Sequence, residues 1–322
     1  MSAVRAPIVP SSHRPLRVGL FLPFAEQQHD GNSPRWSDFA TIAALAEDVG
    51  FDSLWVPDHL LFRFEGQATR GLWDCWSVLS ALAAVTRRVQ LGTVVVCTGF
   101  RNPALLAKMA ETVDDISGGR LILGLGAGYL ESEFRAFGFP YDRRVGRFEE
   151  ALTIVRTLLR EGQIDFEGRY YQARDCELRP RGPRNGQIPI LIGAAGERML
   201  GLAARHADIW NGWLIFGRSQ PDGVAPFREA VDAACRAVGR DPTTLARTFG
   251  VLAAPTGLTT PPRGSAHPDA RVTPIVGSPV EMAETLRGFA REGVSEVQVY
   301  LNPTSPAGVE AFAPVLAELD RG

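Results

Sequence analysis

Asp58 and His59 stand side by side in the stretch LWVPDHLLF, residues 54–62, just after an apolar run that ends at Val56 and is broken by Pro57. A carboxylate next to an imidazole at the lip of a hydrophobic run can bind, orient or exchange a proton, because imidazole changes charge near neutral pH. A purely structural role would look the same in sequence, with Asp58 capping a turn and His59 packing. Two glycine-rich turns are candidates for holding an anion. GLGAGY (124–129) leaves one apolar run, and IGAAGERM (192–199) passes from another straight into a helical pattern. Small residues let backbone N–H groups approach a ligand, and a helix N-terminus favours negative charge. Strand-to-helix packing would explain those glycines equally well. No HExxH or HxH occurs, and the five histidines and four cysteines (Cys75, Cys97, Cys176, Cys235) are scattered. No metal site is therefore expected, and the thiols read as isolated and reduced, as in a cytoplasmic protein.

The elements that must position these groups alternate along the chain. Residues 16–22 (LRVGLFL), 51–56, 89–97, 117–128, 188–193, 208–213, 244–254 and 295–301 read as strands. Between and after them, 36–49, 73–86, 103–117, 143–161, 196–206, 225–239, 279–292 and 307–320 have helical spacing. Gly50 falls where a helix stops and Pro103 at a first turn. Eight strands alternating with eight helices imply a parallel sheet with crossover helices, and at this length a closed (β/α)8 TIM barrel of class α/β. Two insertions interrupt the rhythm, about 162–187 after helix 4 and about 254–277 after strand 7. Residues 1–15 read as a flexible N-terminal arm and 16–322 as one catalytic domain. In such barrels the chemistry sits at the C-terminal ends of the strands, which is where Asp58 and His59 would fall. The 322 residues carry a net charge of −2 and 45% hydrophobic residues, with no basic excess to suggest nucleic acid or an anionic membrane surface. No apolar run approaches the length of a membrane span.

Several stretches together resemble one family. FDSLWVPDHL (51–60), VQLGTVVVCTGFRNPALLAK (89–108), ETVDDISGGRLILGLGAGYLESEFRAFG (111–138), RFEEALTIVRTLL (147–159), FEGRYYQ (166–172) and IPILIGAAGERMLGLAARHADIWN (188–211) occur in the order found in bacterial luciferase-like flavin or deazaflavin oxidoreductases. The pattern is most similar to the branch using the deazaflavin coenzyme F420. The resemblance implies a TIM barrel with its cofactor at the C-terminal mouth. It places Asp58 and His59 against the ring, with His59 as proton carrier, and a non-prolyl cis peptide at Val94–Val95. It seats the cofactor phosphate on Gly193, Ala194, Ala195 and Gly196, near the turn Gly126, Ala127, Gly128, Tyr129. The implied reaction is hydride transfer between F420 and a small organic substrate. The pattern departs from sugar-phosphate members of that branch, with Tyr129 where they carry an acid, Glu131 only two places later, and Arg63 where they have an aromatic. Two alternatives stay open. One is an FMN enzyme, a two-component monooxygenase supplied with reduced FMN by a partner flavin reductase. The other is a non-catalytic flavin-binding barrel, which would have no need of His59. A homodimer is compatible with either. Phe21, Phe24, Phe62, Trp55, Trp73, Trp76, Trp210 and Trp213 are candidates to line an apolar substrate site, and Arg63, Arg101 and Arg147 to receive an anion.

Overall fold

Eight parallel strands close on themselves in the computed structural model, which describes residues 14–26, 32–215, 217–258 and 273–321. They are β1 (Arg17–Phe21), β2 (Ser53–Val56), β3 (Gln90–Thr93), β4 (Leu121–Gly126), β5 (Ile190–Gly193), β6 (Ile209–Trp213), β7 (Ala246–Ala253) and β8 (Glu296–Leu301). Closure shows in two pairings that an open sheet with the other neighbours in place could not hold at once. β8 joins β1 with Val18 opposite Val297, and β5 joins β4 with Ile190 opposite Leu123. The outer ring is α1 (Trp36–Val49), α2 (Cys75–Val85), α3 (Pro103–Ile116), α4 (Arg144–Glu161), α5 (Glu197–His206), α6 (Ala225–Ala237), α7 (Pro279–Arg291) and α8 (Pro306–Asp320).

The strands read as nearly continuous apolar runs because both of their faces are covered. Outward residues such as Val18, Leu20, Leu54, Val56, Leu91, Leu123 and Leu125 join the helices in one large core. Inside the barrel the main occupant is Trp55, which is fully buried. A Cβ added at Gly19 would lie 2.4 Å from its Nε1, and one at Gly92 only 2.2 Å from its ring. Those two glycines are what the indole requires. Trp55 Nε1 donates to Ser53 Oγ (2.7 Å) and to Glu296 Oε1 (2.8 Å), and Glu296 also faces Arg17 Nε at 3.3 Å. Burial pushes the Glu296 carboxyl up, an effect that the Arg17 charge and the hydrogen bonds donated by Ser53 Oγ and Trp55 Nε1 only partly offset. This polar plug closes the N-terminal end, so the open mouth lies at the strand C-termini.

Local signals account for the helix ends. Gly50 ends α1 at φ +100°, and the Asn102 side chain accepts the amides of Ala104 and Leu105 beneath Pro103 at the start of α3. Three features differ from the sequence reading. The third strand stops at Thr93 rather than Cys97, and Val96–Cys97 pairs separately on β4; the Val94–Val95 bond between them is cis, as the resemblance implied. A two-rung hairpin sets Leu61 opposite Gly71. A short helix, Glu131–Phe137, follows the glycine turn. The insertion after α4 forms the antiparallel hairpin Gln163–Glu167 with Gln172–Glu177. Of the expected arm, residues 1–13 lie outside the described residues. So do residues 259–272 of the insertion after β7, while Ile275 in its described part bridges to Ala253.

Candidate active site

Asp58 lies just past the C-terminal end of β2, only 3% exposed. Arg101 grips it with two parallel hydrogen bonds, NH1 to Oδ2 at 2.5 Å and NH2 to Oδ1 at 2.8 Å, and the Cys97 amide donates to Oδ2 at 3.0 Å. A buried carboxylate held this way ties the end of β2 to the segment after β3, and suits positioning better than proton exchange. The same clamp consumes Arg101, so it is not the free anion receptor its place in the sequence suggested. Burial, reinforced by the Asp58 charge, pushes the Cys97 and Cys75 thiols up, which keeps both protonated and unreactive.

His59, one residue on, points elsewhere. Its Nδ1 is 2.8 Å from Glu133 Oε2, while Glu133 Oε1 accepts the amides of Leu60 (2.6 Å) and Leu61 (3.2 Å). The Phe62 ring lies tilted to the imidazole at 4.9 Å and Tyr129 meets it edge-on at 5.5 Å. Nε2 has no hydrogen-bond partner among the described residues. Glu133 is the candidate site residue that sequence reasoning missed. Glu131, weighed instead, is exposed and pairs with Arg135 on the surface. No periodic signal marked it, because the helix Glu131–Phe137 is under two turns long and buries only Glu133 and Phe134.

The glycine turns meet at the side chain of Val95. A Cβ at Gly126 would lie 2.5 Å from Val95 Cγ2, and one at Gly193 3.2 Å from Val95 Cγ1. Gly128, at φ +71°, packs so that a Cβ would stand 2.5 Å from Cys97 Sγ. Val95, Gly126 and Gly193 therefore adjoin at the mouth, and Cys97 links the turn to Asp58. Beyond Gly193, the amides of Ala194, Ala195 and Gly196 donate no hydrogen bond among the described residues. Gly196 is the N-cap of α5 and offers no side-chain cap. Open space surrounds the position where its Cβ would be. Unpaired amides at an uncapped helix start form a cradle that fits a phosphate.

The candidate aromatic residues divide. Trp55, Trp210, Phe24 and Trp76 are buried packing residues. Phe21 and Trp213 form a mouth cluster with Tyr300, at centroid distances of 6.0 and 5.2 Å from Phe21. Phe62 stands beside His59, and Trp73 is exposed, donating to the Pro34 carbonyl at 2.7 Å. Arg147 is held by Asp142 and lies over the Tyr170 ring at 4.6 Å, while Arg63 bonds Thr69 Oγ1 at 3.2 Å.

A (β/α)8 barrel with a histidine and an uncapped helix start at its mouth is an architecture shared by many enzymes, and the comparisons narrow it. The model of the luciferase-like monooxygenase family matches residues 16–256. The chain is 31% identical over 261 residues to a 5,10-methylenetetrahydromethanopterin reductase of Archaeoglobus fulgidus, covering 80% of this chain and 72% of that one. It is 36% identical over 179 residues to an F420-dependent glucose-6-phosphate dehydrogenase of Amycolatopsis mediterranei, covering 53% and 51%. A pyrimidine monooxygenase, RutA, of Agrobacterium fabrum is 30% identical over 242 residues, covering 70% and 64%. The matches thus span from about half to 72% of the relatives' lengths. Among solved structures, an F420-dependent secondary alcohol dehydrogenase superposes with a TM-score of 0.76 at 19% identity, covering 94% of this chain and 99% of that one, a likeness of fold. The chain belongs to the luciferase-like monooxygenase family and is an enzyme of this group of oxidoreductases.

Proposed function

We propose that the protein transfers a hydride between coenzyme F420 and a small organic substrate. One observation carries the reading: His59, the Val94–Val95 bond and the open amides of Ala194–Gly196 converge on a single barrel mouth. The relatives named as F420-dependent dehydrogenases support the choice of cofactor. The cofactor, when bound, supplies the hydride chemistry. The chain's own residues do the rest. Ala194, Ala195 and Gly196 would hold the phosphate, and Val95 would lie against the ring. Asp58 would fix the loop through Arg101, and His59 would exchange the substrate proton at Nε2. The phosphate loop offers Ala194 and Ala195, without the hydroxyls that FMN-using relatives often present.

The relationship to a pyrimidine monooxygenase favours a second reading, an FMN enzyme that receives its reduced cofactor from a partner flavin reductase. Titrating the purified protein with F420 and with FMN, oxidised and reduced, and following quenching of its six tryptophans distinguishes the two. Micromolar binding of F420 with weak FMN supports the first reading. Preference for reduced FMN supports the second, and binding of neither would leave a barrel without this chemistry.

A further inference from the structure

Glu133 brings a second carboxylate to the mouth, one that the reading above leaves without a task. We propose that Glu133 is the positioning residue of His59. It holds the imidazole with its proton on Nδ1 and so presents a bare Nε2 as the base for the hydroxyl group of an alcohol substrate. The inference rests on the reading of the mouth as a site of hydride transfer, and it specifies the substrate class as alcohols and, in reverse, their carbonyl products.

The geometry leaves the carboxylate little freedom. The Glu133 side chain is 1% exposed. Two amide donors, Leu60 and Leu61, occupy Oε1 and thereby aim Oε2 at His59 Nδ1, 2.8 Å away. An ionised carboxylate only accepts hydrogen bonds, so the hydrogen in that contact belongs to Nδ1. In a neutral ring the proton on Nδ1 leaves Nε2 as a lone-pair acceptor. Phe62 and Tyr129 flank the ring and oppose its rotation. The helix carrying Glu133 is pinned by Phe134, fully buried against Phe100 (5.0 Å) and Tyr141 (5.3 Å). In the oxidative direction the O–H bond of the alcohol breaks and its proton joins Nε2. The C–H electron pair leaves as hydride for the oxidised deazaflavin or flavin, and the C=O bond forms. Glu133 then faces the imidazolium until the proton passes to solvent; carbonyl reduction runs the same steps backwards.

Glu133→Gln tests this without changing the shape of the side chain. The Leu60 and Leu61 amides still need an acceptor, so the new carbonyl oxygen faces them and the NH2 group faces Nδ1. That arrangement forces the ring proton to Nε2. In the ligand-free protein, at mildly alkaline pH, ring 15N spectra should show a protonated Nδ1 and a bare Nε2 for wild type. The two signals should exchange in Glu133→Gln, with assignment by their loss in His59→Gln. Turnover of an alcohol should fall about 10²- to 10⁴-fold, the scale set by general-base catalysis and by a wrong-tautomer variant in serine proteases. Cofactor affinity should stay within about twofold of wild type, as the cradle lies elsewhere. Glu133→Asp should retain the wild-type tautomer and part of the turnover. A wild-type ring protonated on Nε2, or ring signals that Glu133→Gln leaves unchanged, would overturn the proposal. So would a loss of turnover matched by a loss of melting temperature with the tautomer intact. If the signals exchange but neither cofactor binds, the pairing stands and the reading of the mouth fails.

Discussion

Gly196→Asp should separate helix capping from anion binding, because the two respond with opposite sign. Gly196 caps α5 at φ −79°, ψ 152°, an extended conformation open to any residue, and a Cβ there meets nothing within 4 Å. The substitution therefore introduces no strain. Its carboxylate would accept the free amides of the first turn and face the positive end of the helix, gaining about 0.5–1 kcal/mol. With an unfolding entropy of about 2 cal/mol/K per residue over 322 residues, that is a rise of roughly 1 °C in melting temperature. A phosphate on the same amides would experience the reverse. A new negative charge about 5 Å away costs about 1 kcal/mol in a water-like surrounding and about 3 where the effective dielectric constant is near 20. The expected result is about 10- to 100-fold weaker cofactor binding, shrinking as salt is added. Thermal melts and the tryptophan-quenching titration, run on one preparation, read both effects. A higher melting temperature with unchanged affinity would mean that no anion sits on these amides. Lower affinity together with a lower melting temperature would point to a damaged loop and refute the capping argument.

Three further outcomes follow from the same contacts. Arg101→Met leaves Asp58 buried with the Cys97 amide as its remaining partner, and breaking such a pair costs about 3–5 kcal/mol, roughly 4–7 °C in a chain this long. Adding Asp58→Asn should recover part of that loss, and a single variant melting within about 1 °C of wild type would show that the clamp carries no weight. His59→Ala should cut turnover about 10²- to 10⁴-fold while the half-buried ring contributes about 1 kcal/mol to stability, so a matched collapse of folding would expose a packing residue. Glu47 governs a pH effect. Burial pushes its carboxyl up, but the amides of Arg88, Val89 and Arg87 and the Arg88 charge outweigh this and hold it below the ordinary 4.5. A lowered value means that stability is present in full above the ordinary one and is lost as pH falls through the folded one. Glu47→Gln should thus melt below wild type at about pH 7, with the gap narrowing as the pH falls below the ordinary 4.5. A constant gap would show that ionisation of Glu47 does not matter.

Much of this architecture was legible because it is repetitive and local. A barrel strand is buried on both faces, so VQLGTVVVC or LILGLG announces itself as an apolar run, and each helix carries its own stop in Gly50 or its own start in Asn102 and Pro103. The illegible parts share two causes. An apolar run says nothing about which peptide bond inside it turns, so 89–97 read as one strand although β3 ends at Thr93 and Val96–Cys97 pairs elsewhere. Short elements also escape: seven residues of Glu131–Phe137 are under two turns, too few for a period to show. The site assembles across those gaps. His59 meets Glu133 across 74 positions and Asp58 meets Arg101 across 43, separations at which sequence carries no sign of contact. The quoted pair at the lip of β2 was thus visible as chemistry while its division of labour was not. Adjacent residues at a strand end face different neighbours. Asp58 is drawn into a buried clamp that sets the loop, and His59 has one nitrogen held and the other without a partner among the described residues. Which of two adjacent titratable groups does chemistry is decided by the partner each finds in the fold, and for His59 that partner sits on the one helix the periodicity could not reveal.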